Sequence, residues 1–258
     1  MSNPRRVALV TGANQGIGLE VCRQLRAHGY DVILTSRDEK AGRAAAKDAG
    51  VEYLRLDVTS EADIKHVAEA LHRDKRKLDV LVNNAGISMD GFNHHVVKTT
   101  VGINFHGALA VTEGLLPVIA DGASIVFVSS GMGELHPYSP AIRSRFADTK
   151  LTRDKLLALV DEFIEGVRTN RHTHEGWPSS AYRVSKAAMV ALAKVLARDL
   201  SARNIRVNAV CPGWVRTRMG GRSAPRSLEQ GAKSVVWAAT VAGPVTGGFY
   251  RDGKAANW

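Results

Sequence analysis

The stretch Val7-Ala8-Leu9-Val10-Thr11-Gly12-Ala13-Asn14-Gln15-Gly16-Ile17-Gly18 opens with four apolar residues and continues into three closely spaced glycines. The apolar run predicts a strand that is buried on both faces, and a helical pattern follows from Leu19 to Gly29. Such a unit is a cradle for phosphate, because the first N–H groups of the helix are unpaired and glycine admits a ligand to the backbone. The G-x-x-x-G-x-G spacing alone also fits a simple tight turn, but its position between strand and helix favours a bound dinucleotide.

Strand and helix alternate in the same way along the rest of the chain. Further strands are predicted at Asp31–Ser36, Glu52–Asp57, Leu78–Val82, Ala123–Val128, Arg206–Val210 and Thr246–Tyr250. This alternation predicts an α/β fold, a single Rossmann-type doubly wound domain over residues 1–258 with a seven-stranded parallel sheet flanked by helices. Ligands of such sheets lie at the carboxyl ends of the strands, where this chain has Gly12, Ser36, Asp57 and Asn84.

The end of the second strand bears on which nicotinamide dinucleotide is bound. NAD-selective sites have an acidic residue there, which binds the ribose 2′-hydroxyl. In this chain Ser36 is small and neutral, and Arg37 follows it. A guanidinium at this point suits the 2′-phosphate of NADPH, although an arginine at a strand end is also an ordinary surface charge. The position favours the phosphate interpretation.

The stretch Tyr182-Arg183-Val184-Ser185-Lys186 opens a long helical pattern from about Ser180 to Ser201. A tyrosine and a lysine four residues apart lie on one face of a helix, so the ammonium group can stabilise the phenolate and lower the tyrosine pKa. A phenol tuned in this way serves as a general acid or base. Because this spacing is frequent by chance, its interpretation depends on the rest of the sequence.

Length, composition and charge narrow the class of protein. The 258 residues are 45% apolar and 23% charged, a balance typical of a globular domain, with a formal net charge of +10. There is no apolar run of membrane-spanning length and no secretion signal after Met1, so we expect a cytoplasmic protein that does not bind membranes. The basic residues are dispersed, so we expect no nucleic-acid partner. Cys22 and Cys211 are too far apart to form a metal motif, and we expect free thiols and no metal.

Seven motifs along the chain resemble, in their order and spacing, those of the short-chain dehydrogenase/reductase family, and together they cover essentially the whole chain. They are TGANQGIG from Thr11, LDV from Leu56, NNAG from Asn83, Asn104, VSS ending at Ser130, YRVSK from Tyr182 and PG from Pro212. One departure from the common short form is an insertion at about residues 133–177. It contains apolar residues on one helical face, with Thr152 or Asp154 as the cap: Leu156, Leu157, Leu159, Val160, Phe163, Ile164 and Val167.

The insertion is similar to that of the carbonyl-reductase branch of the family. The same branch is indicated by GWPSSAY from Gly176, CPGWVRT from Cys211 and the ending FYRDGKAANW. In many family members the helix with the tyrosine and the lysine packs against a partner subunit. In this branch the inserted helix covers that surface, so the resemblance implies a monomer.

The resemblance also implies a reaction, the NADPH-dependent reduction of an aldehyde, ketone or quinone by hydride transfer. In this reaction Tyr182 is the general acid, and Lys186 lowers the tyrosine pKa and binds the nicotinamide ribose. Ser130 positions the carbonyl oxygen, and Asn104 holds a water that resupplies the proton. The implied cofactor-binding residues are Gly12, Asn14, Gly16, Ile17, Arg37, Asp57, Val58, Asn84, Ala85, Gly86, Tyr182, Lys186, Pro212, Gly213, Val215 and Thr217.

The substrate side of the site is less well determined. Relatives often have a basic residue where this chain has Gln15, and close relatives often have Asp in place of Arg218. Four arginines favour either an acidic substrate or, more simply, a solvated loop: Arg216, Arg218, Arg222 and Arg226. Three residues form either an apolar wall or ordinary loop packing: Met89, Phe92 and Trp214. Two alternative functions stay open, an alcohol dehydrogenase acting mainly in the oxidative direction and a non-catalytic NADPH-binding regulator.

Overall fold

The structure of the protein, a computed structural model, describes residues 5–258. One sheet contains eight strands in the order β3-β2-β1-β4-β5-β6-β7-β8. The strands are β1 (Val7–Val10), β2 (Asp31–Ser36), β3 (Glu52–Arg55), β4 (Leu78–Asn83), β5 (Ile119–Val128), β6 (Arg206–Val210), β7 (Phe249–Arg251) and β8 (Lys254–Ala255). All neighbouring strands from β3 to β7 are parallel, which confirms the doubly wound fold. The sequence interpretation of residues 1–4, that no secretion signal begins there, lies outside the described residues.

Helices cover both faces of this sheet. They are α1 (Gly16–Ala27), α2 (Glu39–Ala49), α3 (Glu61–Arg73), α4 (His94–Val101), α5 (Ala108–Leu115), α6 (Pro140–Ala147), α7 (Arg153–Arg168), α8 (Ala181–Asp199) and α9 (Leu228–Thr240). Apolar residues of α1, α2 and α9 form one core with the sheet, and those of α3 to α8 form a second core on the other face. In β1, Ala8 and Val10 contribute to the first core and Val7 and Leu9 to the second. This two-sided burial is why the strand consists of apolar residues without alternation.

The edge of the sheet that the last strands of the chain form differs from the sequence prediction of seven parallel strands. The predicted strand Thr246–Tyr250 begins later, at Phe249, because the Thr246 hydroxyl instead accepts a hydrogen bond from the Val207 N–H at 3.0 Å. After β7, Asp252 and Gly253 have φ angles of 51° and 76°, and this tight turn reverses the chain into β8. The eighth strand is therefore antiparallel, and the Asp-Gly pair was its unused sequence signal.

The helical segment that contains Asn104 is interrupted in the structure. Residues Gly102–Gly107 form a π-helical turn between α4 and α5. The π turn has Asn104 near its middle, and that side chain is fully buried. Single π turns within α-helices are frequent at functional sites, because they turn a side chain away from the regular helical direction. The apolar periodicity of the sequence did not reveal this irregularity.

The insertion contains two helices, α6 and α7, of which only the second was predicted. The Thr152 hydroxyl caps α7 by accepting a hydrogen bond from the Lys155 N–H, so Thr152 rather than Asp154 is the cap. The predicted apolar face is confirmed, since α7 packs against α4 and α8 through buried residues that include Leu156 and Phe163. Arg153 at the start of α7 also pairs with Glu113 of α5. The insertion thus lies over the helices that carry the Tyr-Lys motif and the π turn.

Two further findings concern the described part of the chain. None of its helices combines the length and the apolar character that a bilayer crossing requires. Within residues 5–258 there is also no group of three or more histidine, cysteine, aspartate or glutamate side chains placed to bind a metal ion.

Candidate active site

A cavity of about 590 Å³ lies at the carboxyl ends of the parallel strands. Its lining comes from the segments that follow β1, β2, β3, β4, β5 and β6, together with residues of α8. This is the position at which open α/β sheets bind ligands, because the loops diverge where the strand order reverses beside β1. The cavity therefore brings together segments that are up to about two hundred residues apart in sequence.

Residues 12–18 and 84–86 form one wall of the cavity, here called the glycine wall. The Thr11 hydroxyl accepts hydrogen bonds from the N–H groups of Asn84 and Ala85, each at 3.0 Å. In return, the Asn84 side chain donates to the carbonyl oxygen of Thr11 at 2.9 Å. The turns after β1 and β4 are thus locked together by groups that belong to the two motifs. The Asn84 side chain acts here as a brace within the wall.

The glycine wall fits the pyrophosphate of a dinucleotide. The residue before α1, Gln15, has extended backbone geometry and makes no side-chain cap, and the first turn of α1 contains no acidic residue. The first N–H groups of α1 are consequently left to face an anion. Gly12 has a φ of 60°, and a Cβ atom built there would lie 2.7 Å from the Ala85 Cα. The backbone of the wall is therefore as close-packed as this motif allows.

Arg37 lies where the end of β2 meets the cavity. Its side chain is exposed, and it makes no ion pair with any residue in the described part of the chain. Burial alone would raise the pKa of the nearby Asp57 carboxyl, but hydrogen bonds from the Thr59 N–H and hydroxyl, with the charge of Arg37, hold that pKa below its usual value. Asp57 is therefore ionised and committed to Thr59, while the guanidinium of Arg37 is available to a phosphate.

Tyr182 and Lys186 lie one turn apart on α8 and both line the cavity. The Lys186 Nζ lies 5.5 Å from the centre of the Tyr182 ring and donates a hydrogen bond to the Val128 carbonyl oxygen at 2.8 Å. Only 4% of Lys186 is exposed, and this burial lowers its pKa to about 8. Burial also raises the pKa of the Tyr182 phenol, with a smaller opposing effect from Ser130. The expected lowering of the tyrosine pKa is therefore not found in this structure, because burial of the phenol has the largest effect.

Ser130 follows β5 and faces the Tyr182 phenol, and its hydroxyl accepts a hydrogen bond from the Met132 N–H at 3.1 Å. The turn after Ser130 is held by an unexpected residue, Cys211. The Cys211 sulfur accepts hydrogen bonds from the Gly131 N–H at 3.0 Å, the Gly213 N–H at 3.3 Å and the guanidinium of Arg251 at 3.1 Å. This thiol thus joins the serine turn to the loop after β6 and to β7. Its only sequence signal was its place before Pro212.

Asn104 belongs to the π turn, and its side-chain amide contacts the segment after β4 and α8. Its Oδ1 accepts a hydrogen bond from the Ile87 N–H at 2.8 Å, and its Nδ2 donates to the Ile87 carbonyl oxygen at 2.9 Å and to the Ser185 hydroxyl at 3.0 Å. The amide therefore ties the π turn to the segment after β4 and to α8. A Cβ atom at Gly86 would lie 3.2 Å from Asn104 Oδ1 and 3.5 Å from Lys186 Nζ. The absence of a side chain at Gly86 keeps the space between these two polar groups open.

Most of the predicted cofactor residues line the cavity together. They are Gly12, Asn14, Gly16, Ile17, Arg37, Asp57, Val58, Asn84, Ala85, Gly86, Tyr182, Lys186, Pro212 and Thr217. Gly213 and Val215 are not part of the lining. Val215 is buried and packs against α9, since a Cβ atom at Gly231 would lie 2.6 Å from its Cγ2. The structure therefore places Val215 behind the loop rather than in the cavity.

The cavity also includes residues outside the predicted cofactor-binding set, of which Ser36 and Arg218 were already candidates from the sequence. They are Gln15, Gly18, Ser36, Leu56, Ile87, Ser88, Asp90, Ile103, Val128, Ser129, Arg218 and Met219. Several of these adjoin predicted residues, so the motifs indicated the right segments but not their full contribution. Ser129 is an example, because its hydroxyl donates to the Lys186 carbonyl oxygen at 2.9 Å and fixes α8 to the end of β5.

Residues 213–227 form a loop, here called the loop wall, of which Thr217, Arg218 and Met219 line the cavity. Its Trp214 and Met219 are 57% and 53% exposed, and Met132 beside the serine turn is 43% exposed. These are the exposed large apolar side chains of the described residues, and of the three Met219 lines the cavity. Met89 and Phe92 instead pack against the second core, and the ring centres of Phe92 and His172 are 4.9 Å apart. The ordinary packing interpretation is therefore right for both.

The arginines of the loop wall divide into two groups. Arg216 donates to the carbonyl oxygens of Ala224 and Pro225, and Arg226 pairs with Asp252 through two hydrogen bonds. These two side chains hold the loop in place. Arg218 and Arg222 are exposed, and of these Arg218 lines the cavity. The solvated-loop interpretation is therefore incomplete, because structural and cavity-facing cations are mixed in this segment.

The parallel doubly wound sheet, the glycine wall at a helix N-terminus and the buried Tyr-Lys pair define a class of protein, the dinucleotide-dependent oxidoreductases. Comparison with known proteins gives the family. The profile described as short chain dehydrogenase matches residues 6–144, and the profile described as Enoyl-(Acyl carrier protein) reductase matches residues 169–242. Carbonyl reductase [NADPH] 1 of Rattus norvegicus is 38% identical over 278 aligned residues that cover all of both chains.

Solved structures of similar sequence agree with this assignment. Salutaridine reductase from Papaver somniferum superimposes with a TM-score of 0.90 at 31% identity, over 95% of this chain and 99% of that chain. Menthone neomenthol reductase from Mentha piperita gives a TM-score of 0.84 at 27% identity, over 98% of this chain and all of that chain. The chain belongs to the short-chain dehydrogenase/reductase family, among its carbonyl-reductase-like members.

Proposed function

We propose that the protein reduces the carbonyl group of an aldehyde, ketone or quinone to an alcohol, with NADPH as the reductant. The observation that carries this proposal is the continuity of the cavity: Arg37, the glycine wall, Tyr182 and Lys186 line one space of about 590 Å³. A 2′-phosphate site, a pyrophosphate site and a proton donor are thus aligned as an extended dinucleotide requires. The relatives named carbonyl reductase [NADPH] support the same substrate and cofactor.

The roles of the residues follow from their surroundings. Bound NADPH would supply a hydride to the carbonyl carbon. Tyr182 gives its phenolic proton to the carbonyl oxygen, and the raised pKa of this phenol keeps it protonated and ready to do so at neutral pH. Ser130 holds the carbonyl oxygen near the phenol by a hydrogen bond. Lys186, with its pKa lowered to about 8, lies close enough to exchange a proton with solvent through a water beside Asn104.

The surface around the cavity supports an apolar carbonyl compound. Trp214, Met219 and Met132 are exposed at the loop wall and at the serine turn, and such aromatic and thioether side chains adapt to varied apolar shapes.

We also propose that residues 1–258 form a single NAD(P)-binding domain, with the helical insertion at about 133–177, and that the protein is cytoplasmic. Because α7 covers much of α8 and α4, we also propose a monomer, and a dimer in light scattering would contradict this.

Two alternatives use the same site. An alcohol dehydrogenase working mainly in the oxidative direction needs Tyr182 as a base, and the similarity to relatives named carbonyl reductase [NADPH] favours the reductive direction instead. A non-catalytic NADPH-binding regulator has no need of a buried lysine beside a tyrosine in the cofactor cavity. Burying Lys186 costs free energy, which a binding-only protein gains nothing from retaining.

The test is turnover with a panel of carbonyl compounds under excess NADPH or NADH. The panel contains an aromatic aldehyde, an isatin, an ortho-quinone and a cyclic terpenoid ketone, and oxidation of the reduced nicotinamide is followed by its absorbance. We expect turnover with at least one compound, with NADPH preferred over NADH. Tight binding of NADPH with no turnover of any panel member would contradict the reductase proposal and favour the regulator.

A further inference from the structure

Arg218 is a cation that the loop wall leaves exposed at the cavity. Its neighbours Arg216 and Arg226 are used in the fold, through carbonyl oxygens and through Asp252 respectively. Arg218, by contrast, makes no hydrogen bond or ion pair with its side chain to any residue between 5 and 258. A guanidinium group is always charged, and its planar set of N–H donors matches phosphate and carboxylate groups. A cavity-lining arginine without a protein partner is therefore suited to an anionic ligand.

The position of Arg218 along the cavity indicates which anion it faces. The preceding residue, Thr217, lies against the glycine wall, because a Cβ atom at Gly16 would be 3.8 Å from its Cγ2. Gly16 is the first residue of α1, whose unpaired N–H groups face the cavity. Arg218 directly follows Thr217 and lines the same cavity, so it belongs to the part of the loop wall that approaches the anion-binding end of α1. Arg37, the other exposed arginine of the lining, lies at the end of β2.

The glycine wall lacks a cation of its own. Gln15 precedes α1, and the wall from Gly12 to Gly18 contains no lysine or arginine. Lys186 also lines the cavity, but its ammonium group is buried and donates to Val128. The acidic groups of the lining are Asp57, which Thr59 holds, and the exposed Asp90. A pyrophosphate bound at α1 has two negative charges, and the N–H groups and the helix dipole neutralise them only in part.

We propose that Arg218 binds the pyrophosphate of the dinucleotide and closes the loop wall over the glycine wall. This inference rests on the proposed function, since it assumes a nicotinamide dinucleotide in the cavity. In this arrangement Arg37 binds the phosphate that distinguishes NADPH from NADH, and Arg218 binds the phosphates that the two cofactors share. The two arginines then contribute to different properties, Arg37 to cofactor selectivity and Arg218 to affinity for both cofactors.

The test is direct binding of NADPH and NADH, measured by nicotinamide fluorescence without any carbonyl substrate. Arg218→Ala is expected to raise both dissociation constants by the same factor, about 5- to 10-fold, because it removes a charge-assisted contact that is partly open to solvent. Arg218→Lys is expected to retain most of the affinity, since it keeps the charge. Arg37→Ala should raise the dissociation constant of NADPH alone. The matched control is Arg222→Ala, in the same loop but outside the cavity lining, with unchanged binding of both cofactors.

The outcomes separate this inference from the proposed function. If the unaltered protein binds neither dinucleotide, the proposed function fails and the inference fails with it. If binding is normal and Arg218→Ala leaves both dissociation constants unchanged, the inference alone is wrong. The inference is equally wrong if the variant changes only the KM of a carboxylate-bearing carbonyl compound, because Arg218 would then bind substrate. A decrease in the salt dependence of NADPH binding in Arg218→Ala would support the pyrophosphate contact.

Discussion

The two walls of the cavity are built in opposite ways. The glycine wall is fixed by backbone contacts: the Thr11 hydroxyl joins the turns after β1 and β4, and Gly12 touches Ala85. The loop wall is held by a few long side chains, with Arg226 on Asp252 and Arg216 on two carbonyl oxygens. Its outer surface consists of exposed side chains such as Trp214. A wall made of backbone can accept few substitutions, whereas a wall held by side chains can change its surface without losing its shape.

This difference assigns the two walls different tasks. The dinucleotide is the same molecule in every turnover, so a rigid wall of N–H groups suits it. Under the proposed function, a carbonyl substrate would be recognised by shape and apolar contact, which exposed residues of a loop provide. Tyr182 lies between the walls and belongs to α8, the most deeply buried of the helices that line the site. Binding and chemistry are therefore separable by substitution.

The largest effect is expected from Tyr182→Phe, which removes the proposed proton donor and leaves both walls intact. General acid catalysis contributes roughly 10²- to 10⁴-fold, so turnover should fall by about that factor. The dissociation constant of NADPH should stay within about twofold, because the glycine wall is unchanged. Turnover and fluorescence binding measured on one preparation test both statements. A variant that retains full turnover would exclude Tyr182 as the acid.

A second prediction compares the walls directly through two glycines with positive φ. Gly12→Ala forces a side chain into the left-handed region and to within 2.7 Å of the Ala85 Cα, a backbone atom that cannot move away. We expect a loss of about 2–5 kcal/mol in the free energy of unfolding and weaker NADPH binding. Gly221→Ala in the loop wall has a φ of 77° but meets no atom within 4 Å, so only about 1 kcal/mol of backbone strain is expected.

Urea unfolding of both variants measures the difference. Because each replaces a left-handed glycine by alanine, subtracting one loss from the other isolates the close approach at Gly12. Equal losses would mean that the glycine wall is no more tightly packed than the loop wall.

The same contrast explains what the sequence could predict. The glycine wall was predictable because TGANQGIG and NNAG need their residue types for local backbone reasons, and these appear as motifs. The loop wall was predictable only in part: Thr217 lines the cavity as expected, but Val215 facing α9 and Arg218 facing the cavity depend on how residues 213–227 cross over the molecule. The π turn at Asn104 and the donors around the Cys211 sulfur likewise come from tertiary contacts, which no periodicity records.

A third prediction concerns the cost of the buried lysine between the walls. The folded protein lowers the pKa of Lys186 from 10.5 to about 8, so between these pH values the unfolded chain binds more protons than the folded one. Stability contributed by this residue therefore increases as the pH rises through that window, and below about pH 8 its burial costs stability. The size of the change is on the order of 3 kcal/mol.

Urea unfolding of the nucleotide-free protein and of Lys186→Met at several pH values measures this effect. The stability of the unaltered protein relative to the variant should rise from pH 8 to above pH 10. Lys155→Met, at an exposed position on α7, should instead run parallel to the unaltered protein. Parallel curves for Lys186→Met as well would show that the lysine is not desolvated.

The smallest effect is expected from loosening the loop wall at Arg226. This guanidinium pairs with Asp252 at 2.6 and 2.8 Å and donates to the Gln230 carbonyl oxygen at 3.1 Å, so it connects the loop to α9 and to the β7–β8 turn. Arg226→Ala should destabilise the fold by only about 1 kcal/mol, because the pair is partly exposed. The KM of an apolar carbonyl substrate should nevertheless rise about 3- to 10-fold, since Trp214 and Met219 lose their fixed positions.

Steady-state kinetics of Arg226→Ala beside Arg168→Ala measures this difference. Arg168 makes a similar exposed pair with Glu165 on α7, so it controls for the loss of a surface ion pair alone. Asp252→Asn should reproduce the KM change, because it weakens the same contact from the other side. If both Arg226→Ala and Asp252→Asn leave KM unchanged, the shape of the loop wall does not depend on this pair. The loop would then be held mainly by Arg216 and by the packing of Val215 against α9, and the contrast with the glycine wall would be weaker than the contacts indicate.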